Sequence, residues 1–256
     1  MSRAAVTLGP MSTLLLTKAP TGYSALIAGD AHLVEAAQRL RYRVFAEELG
    51  AQLDPTGIDV DDFDAYCDHL IVREDSTGEV VGTYRLLSPQ RAIWLGRRYS
   101  DSEFDLSALT VLRDQLVEAG RSCVHPDHRT GAVINLMWAG IAKYLDTFGY
   151  RYLAGCASVS LSDGGTQAAA VRDLAFRKHL SPPELRVKPH LPWAAPTPEQ
   201  PGTLTDVPSL LRGYLRLGAW VCGEPAYDPA FGCADFFVLL GIERVNPKYL
   251  EHFLKS

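Results

Sequence analysis

Between Glu118 and Phe148 the chain passes from a short β-prone run, through a loop of His, Pro, Asp and Arg, into a long apolar-striped segment. Ile134, Met137, Trp138, Ile141, Leu145 and Phe148 stand at i, +3, +4, +7, +11 and +14, the stripe of a 3.6-residue period. Pro126 and Gly131 punctuate the loop before it. A strand, a loop and a helix start in that order put unpaired backbone N–H groups and a positive dipole end over a cleft. Such an end holds an anion or is capped by its own loop, and the pattern allows both.

The chain has 256 residues, and its formal charge of −5 argues against non-specific nucleic-acid binding. Cys67, Cys123, Cys156, Cys222 and Cys233 form no C-x-x-C pair, and the seven histidines sit at no metal-ligand spacing, so no metal is expected. An odd cysteine count without a signal sequence fits a reducing compartment. The apolar runs Leu14–Leu16 and Phe236–Ile242 are far short of the roughly 20 residues that span a bilayer. The expected location is the cytoplasm, with peripheral contact at the inner face of the membrane left open.

Residues 1–22 read as a loose tail and 23–256 as one domain. Tyr23–Ala28 is β-prone. Ala31–Leu49 reads as an amphipathic helix with Asp30 as N-cap and Leu33, Ala37, Leu40 and Val44 on one stripe. An acidic loop to Asp64 leads into a hairpin, His69–Glu74 and Val80–Leu87, turning at Asp75–Gly78. Gln90–Leu116 has mixed character. After the central unit come a strand at Tyr152–Val159 and a helix at Thr166–Leu180. The stretch 181–208 holds eight of the sixteen prolines and reads as a linker or as a loop packed over the body. A short helix (Ser209–Leu217), strands near Trp220–Cys222 and Asp235–Leu240, and a closing helix (Asn246–Leu254) follow. Early antiparallel strands followed by β-α-β units predict an α/β (α+β) fold, a mixed sheet with helices on both faces.

Four clusters carry candidate chemistry. Arg41 and Phe45 are four apart and share a helix face; an inward guanidinium there must find a carboxylate or a phosphate. Asp61 and Asp64 lack the glycine and glutamate of a calcium loop and are candidates to pair with Arg41 and Arg85. Arg85 sits in an apolar strand. Glu118 and Arg121 fall on opposite strand faces unless a bulge intervenes, and Gly120 is where it would sit. Glu118 reads either as a general base in a cleft or as half of a buried ion pair.

Taken together, Arg41-Tyr-Arg43-Val-Phe45, Asp61-x-Phe63-Asp64, Gly82-x-Tyr84-Arg85-Leu86 and Glu118-x-Gly120-Arg121-x-x-Val124-His125-Pro126 resemble the acyl carrier protein-dependent N-acyltransferases of the GNAT superfamily. The nearest branch in appearance acylates the α-amine of ornithine, the first step to ornithine lipids; Tyr99–Ser107, Leu217–Pro225 and Asp235–Val238 fit it too. The resemblance extends to acyl-homoserine lactone synthases. It implies a mostly antiparallel GNAT-like central sheet and a cleft lined by Arg41, Phe45, Asp61, Asp64, Arg85, Glu118 and Arg121, with Glu118 and Arg121 catalytic. It places the donor on Cys123, Val124, Arg129, Thr130, Gly131 and Ala132. One departure stands out: the loop His128-Arg129-Thr130-Gly131-Ala132-Val133 has one glycine where GNAT enzymes carry a richer pyrophosphate-binding pattern.

The implied reaction moves a (3-hydroxy) fatty acyl group from the phosphopantetheine thioester of acyl carrier protein, or from acyl-CoA, to an amine, most simply that of ornithine. No permanently bound cofactor is required. Arg41 or Arg85 would hold an acceptor carboxylate bidentately, and Asp61 or Asp64 a second ammonium. Arg129, Arg172, Arg177 and Lys178 form the expected patch for an acidic carrier. The alternatives are another acceptor, or a catalytically silent GNAT-like module that binds carrier or lipid.

Overall fold

The computed structural model describes residues 13–198 and 200–255. In chain order its elements are β1 (Leu14–Ala19), β2 (Tyr23–Ile27), α1 (Ala31–Tyr42), β3 (Asp68–Glu74), β4 (Val80–Leu87), α2 (Pro89–Leu95), β5 (Phe104–Asp105), β6 (Leu116–Val124), α3 (Gly131–Phe148), β7 (Tyr152–Ser160), α4 (Thr166–Lys178), β8 (Lys188–Pro189), α5 (Ser209–Arg216), β9 (Trp220–Val221), β10 (Ala226–Asp228), β11 (Cys233–Gly241) and α6 (Pro247–Lys255). Successive side chains of a strand point to opposite faces, and β2 is apolar on both. Ala25 and Ile27 pack with α3, while Leu26 packs with α1. A sheet apolar on two sides needs cover on both, and these helices provide it.

The main sheet runs β1-β2-β3-β4-β6-β7-β11-β10, with β9 also paired to β11; β5 and β8 form a separate ribbon. Its strand pairs are antiparallel except β6–β7, where Leu116–Glu118 run parallel to Tyr152–Ala154. Beyond Glu118 those two strands separate. A Cβ at Gly155 would lie 2.2 Å from the Ala119 carbonyl oxygen, so glycine marks the fork. The sheet is mixed and mostly antiparallel, with helices on both faces, as expected.

Several boundaries differ from expectation. The tail expected over 1–22 includes β1, which pairs with β2 along Leu14–Ala19; residues 1–12 lie outside the described residues. The Asp30 carboxylate accepts from Leu33 N at 3.0 Å, which starts α1 where predicted. Past Tyr42, however, the helix widens into a π-helical turn, Arg43–Glu48, a form concentrated at functional sites. In α3 the buried face is rotated from the predicted stripe: Ile134 and Phe148 are exposed, while Val133, Leu136 and Tyr144 are buried. Gly140 is the reason. A Cβ there would come within 2.9 Å of Leu70, so the helix seats on the sheet through its smallest residue. The proline-rich stretch packs over the body through Val187 N to Cys222 O (2.8 Å), His190 N to Glu103 O (2.8 Å) and Trp193 N to Pro225 O (3.0 Å), so it is not a linker.

Candidate active site

Where β6 and β7 part, a cavity of about 510 Å³ opens. Ala119, Gly120, Arg121 and Ser122 form one wall and Gly155, Cys156, Ala157 and Ser158 the other. Phe45, Leu49, Phe63, Arg85 and Glu118 line it on the α1 side, and Tyr84, Leu210 and Tyr214 contribute from the α3 side. The expected bulge is present. Thr83 pairs with Cys123 and Arg85 with Gly120, which leaves one extra residue on β6. Arg121 carries it at φ +50°, among the described residues the only non-glycine at positive φ. That backbone twist turns the Arg121 side chain toward the cavity, where it lies over the rings of Tyr99 and Phe231.

Three arginines and three aspartates form a network beside this wall. Arg41 is fully buried, donates Nε to Asp59 at 2.8 Å and Nη2 to Asp64 at 2.8 Å, and also reaches the Asp59 carbonyl. Arg85 Nη1 bonds Asp61 at 2.6 Å and Asp64 at 3.2 Å. Arg121 lies 3.3 Å from Asp59 and 3.5 Å from Asp61, and its Nε makes no hydrogen bond. Burial works against the charge of Asp64, but Arg41, the Asp61 N–H and Arg85 hold its carboxyl below the usual range. The structure thus brings Arg41, Asp61, Asp64 and Arg85 together as one another's partners. Arg41 does not line the cavity, and Asp61 and Asp64 spend their oxygens on arginines. Of the three guanidiniums, that of Arg121 is held at the longest distances.

Glu118 is buried and lines the cavity, but it does not pair with Arg121. Its carboxylate accepts from Tyr99 N at 2.7 Å, Ser100 N at 2.9 Å and Ser100 Oγ at 2.6 Å, fastening the turn Tyr99–Ser102 across the cleft. The turn went unrecognised in the sequence because its partner lies 18 residues away in an unrelated segment.

The predicted donor residues sit at the far end of β6. Thr130 caps α3 by accepting from Val133 N at 3.4 Å, and Gly131 and Ala132 open the helix. Arg129 is tied to Glu48 by two bonds, 2.6 and 2.5 Å, and to the Val124 carbonyl. Cys123 is buried, and burial pushes its thiol up to about 12, the opposite of an activated nucleophile. In the patch expected for a carrier protein, Arg172 pairs with Glu224 and Arg177 with Asp173, while Lys178 forms no salt bridge among the described residues.

One further group was not singled out from sequence. Ser100 Oγ lies 3.3 Å from Cys156 Sγ. The Cys156 thiol and the Glu103 and Asp235 carboxyls lie within electrostatic reach of one another. Ser100, Cys156 and Asp235 line the cavity with Glu118, and Glu103 does not. The sequence signal of this group was Asp235 alone in an apolar run, Cys233–Gly241.

The GNAT acetyltransferase domain family matches residues 40–139, from α1 into α3. The L-ornithine N(alpha)-acyltransferase of Rhodobacter capsulatus is 36% identical over 258 residues, covering 94% of this chain and 98% of that one. The enzyme of the same name from Brucella abortus is 34% identical, with 89% of this chain and 87% of that one covered. The chain belongs to this acyltransferase family. It is an N-acyltransferase built on the GNAT fold. Two solved structures share that fold: a CoA-dependent acyl-homoserine lactone synthase with SAM and isopentyl-CoA (16% identity, TM-score 0.52, 90% and 86% covered) and TofI with an inhibitor and MTA (19%, 0.51, 94% and 97%). Among the described residues, no helix is long and apolar enough to cross a membrane.

Proposed function

We propose that this enzyme transfers a (3-hydroxy) fatty acyl group from the phosphopantetheine thioester of acyl carrier protein to the α-amine of ornithine, giving a lyso-ornithine-lipid-type N-acyl amino acid. The observation that carries the reading is the forked β6–β7 cavity, whose walls set an arginine, a buried glutamate and a bulged backbone around one space. Relatives of this name at 34–36% identity support the acceptor.

In this reading Arg121, aimed into the cavity and held by Asp59 and Asp61 only at 3.3 and 3.5 Å, receives the acceptor's α-carboxylate, while Arg41 and Arg85 are bound more closely to their aspartates. The amine must be neutral to attack. Its proton passes to Ser100 Oγ as the serine proton moves to Glu118, 2.6 Å away. The neutral nitrogen adds to the thioester carbonyl, and backbone N–H groups at the bulge stabilise the oxyanion. Collapse forms the amide and expels the phosphopantetheine thiolate, which takes the second proton from nitrogen, and Glu118 returns the first to solvent. Apolar side chains of Phe45, Leu49, Phe63 and Leu87 suit the acyl chain. Peripheral contact with the inner membrane face fits an acylated product of this kind.

Release of free thiol from a long-chain acyl carrier thioester, with and without ornithine, tests the reaction. A carrier donor predicts an apparent KM that climbs steeply with added salt, because surface charge attraction is screened within about 8 Å at physiological strength. Arg129→Glu is expected to raise that KM several-fold more for the carrier thioester than for the matching acyl-CoA. Equal use of both donors, without salt dependence, would make coenzyme A the carrier of the acyl group.

A further inference from the structure

The two aspartates expected to hold a second ammonium, Asp61 and Asp64, are consumed by arginines. The cavity has other carboxylates. Asp235 on β11 is 3% exposed and lines the cavity beside Cys233 and Asp228. Carboxylate and thiol atoms of these three residues lie within 4.8 Å of one another. Asp235 faces Ser158 across the β7–β11 ladder and accepts from the Cys233 thiol at 3.4 Å. Glu103 meets it from the turn that Glu118 fastens. No cation of the chain pairs with either carboxyl in a salt bridge, among the described residues. Moreover Glu103 Oε2 is wholly buried without a hydrogen-bond donor. A buried acceptor oxygen without a donor is costly, and two carboxyls side by side repel once both ionise. Burial and then Asp235 raise the Glu103 carboxyl to about 8, so the pair holds a proton where ordinary carboxyls have lost theirs. An incoming ammonium at Asp235 supplies donors and a positive charge that offsets the repulsion within the pair.

Resting on the N-acyltransferase reading above, we propose that Asp235 and Asp228, backed by the carboxyl of Glu103, form the subsite for the acceptor's side-chain ammonium and make this enzyme selective for a diamino acid. Arg121 lies over Phe231, in the turn between Asp228 and Asp235, so carboxylate and ammonium subsites share one side of the cavity. An amino acid with charged groups at both ends then spans them, leaving the α-amine toward Ser100 and Glu118.

The test compares ornithine with norvaline, which lacks only the terminal ammonium. The ratio of their kcat/KM values in the wild-type enzyme is expected to exceed about 30, the loss typical when one partner leaves a buried charge pair. Asp235→Asn is expected to bring that ratio close to unity, chiefly through KM for ornithine. Asp228→Asn, at a half-buried position, reads the same ratio if Asp235→Asn does not fold. Wild type that uses both acceptors equally would overturn the subsite while leaving N-acylation intact. A collapse of kcat for both acceptors in folded Asp235→Asn would make Asp235 part of the proton path and overturn it as well. Loss of the ornithine preference on dialysis against EDTA would place a metal ion at Asp228, Cys233 and Asp235 instead. If wild type acylates neither amino acid, the reaction reading fails; calorimetric binding of ornithine over norvaline, lost in Asp235→Asn, then supports the subsite alone, and equal binding overturns it.

Discussion

Glu118→Gln is expected to lower kcat by on the order of 10²–10⁴, the range for loss of a general base. The substitution preserves shape but removes the charge and one acceptor. Three donors converge on this carboxylate, from Tyr99 N, Ser100 N and Ser100 Oγ. An amide offers one oxygen and turns an NH2 toward a donor, so a smaller fall in stability, about 1–3 kcal/mol, accompanies the rate loss. Ser100→Ala separates the two effects. It removes the proposed relay hydroxyl while both backbone bonds to Glu118 remain. A rate loss in Ser100→Ala approaching that of Glu118→Gln supports the relay. Unchanged rates in both variants, with only a lower melting temperature, would make Glu118 the fastening of the Tyr99–Ser102 turn and nothing more.

Arg41→Met is expected to be the most destabilising of these single changes, by about 3–5 kcal/mol, the cost of removing one partner from a buried ion pair. Arg41 is fully buried, and its removal strands Asp59 and Asp64, which are 4% and 9% exposed. For a chain of this size the melting temperature should fall on the order of 10 °C. Arg41→Lys keeps the charge but loses the planar fork; one ammonium cannot repeat bonds to Asp59 Oδ2, the Asp59 carbonyl and Asp64 Oδ1. Urea unfolding of both variants, beside acceptor KM, checks this. Normal stability with a large rise in acceptor KM would restore Arg41 as a substrate ligand.

Local signals in the sequence carried a good part of this structure. Asp30 before an apolar stripe gave the start of α1, the separation of two β-prone runs and the glycine of their turn gave the β3–β4 hairpin, and Gly120 between Glu118 and Arg121 marked the bulge. Of the residues gathered by resemblance, Phe45, Arg85, Glu118 and Arg121 line one cavity and Arg41, Asp61 and Asp64 adjoin it, while Cys123, Val124 and Arg129 to Ala132 lie apart at the far end of β6. What was not legible depends on distance and on shape. Whether Arg41 meets a substrate or Asp59 is decided by the fold of an acidic loop that has no periodicity. The rotation of α3 depends on Gly140 meeting Leu70, a contact across 70 positions of sequence. The π-helical turn at Arg43–Glu48 uses residues that an α-helix accepts equally well. The approach of the Glu103 and Asp235 charges joins segments from opposite halves of the chain, and only the isolated acid in an apolar strand hinted at it.

The most direct test of the account is the identity of the product. Purified protein is incubated with a 3-hydroxyacyl carrier thioester and ornithine carrying ¹⁵N at the α-position alone, and the product is fragmented by mass spectrometry. One acyl group per ornithine is expected, bound to the labelled α-nitrogen, with one free carrier thiol for each amide formed. Acylation at the unlabelled side-chain nitrogen, or thiol release without any acylated ornithine, would contradict it.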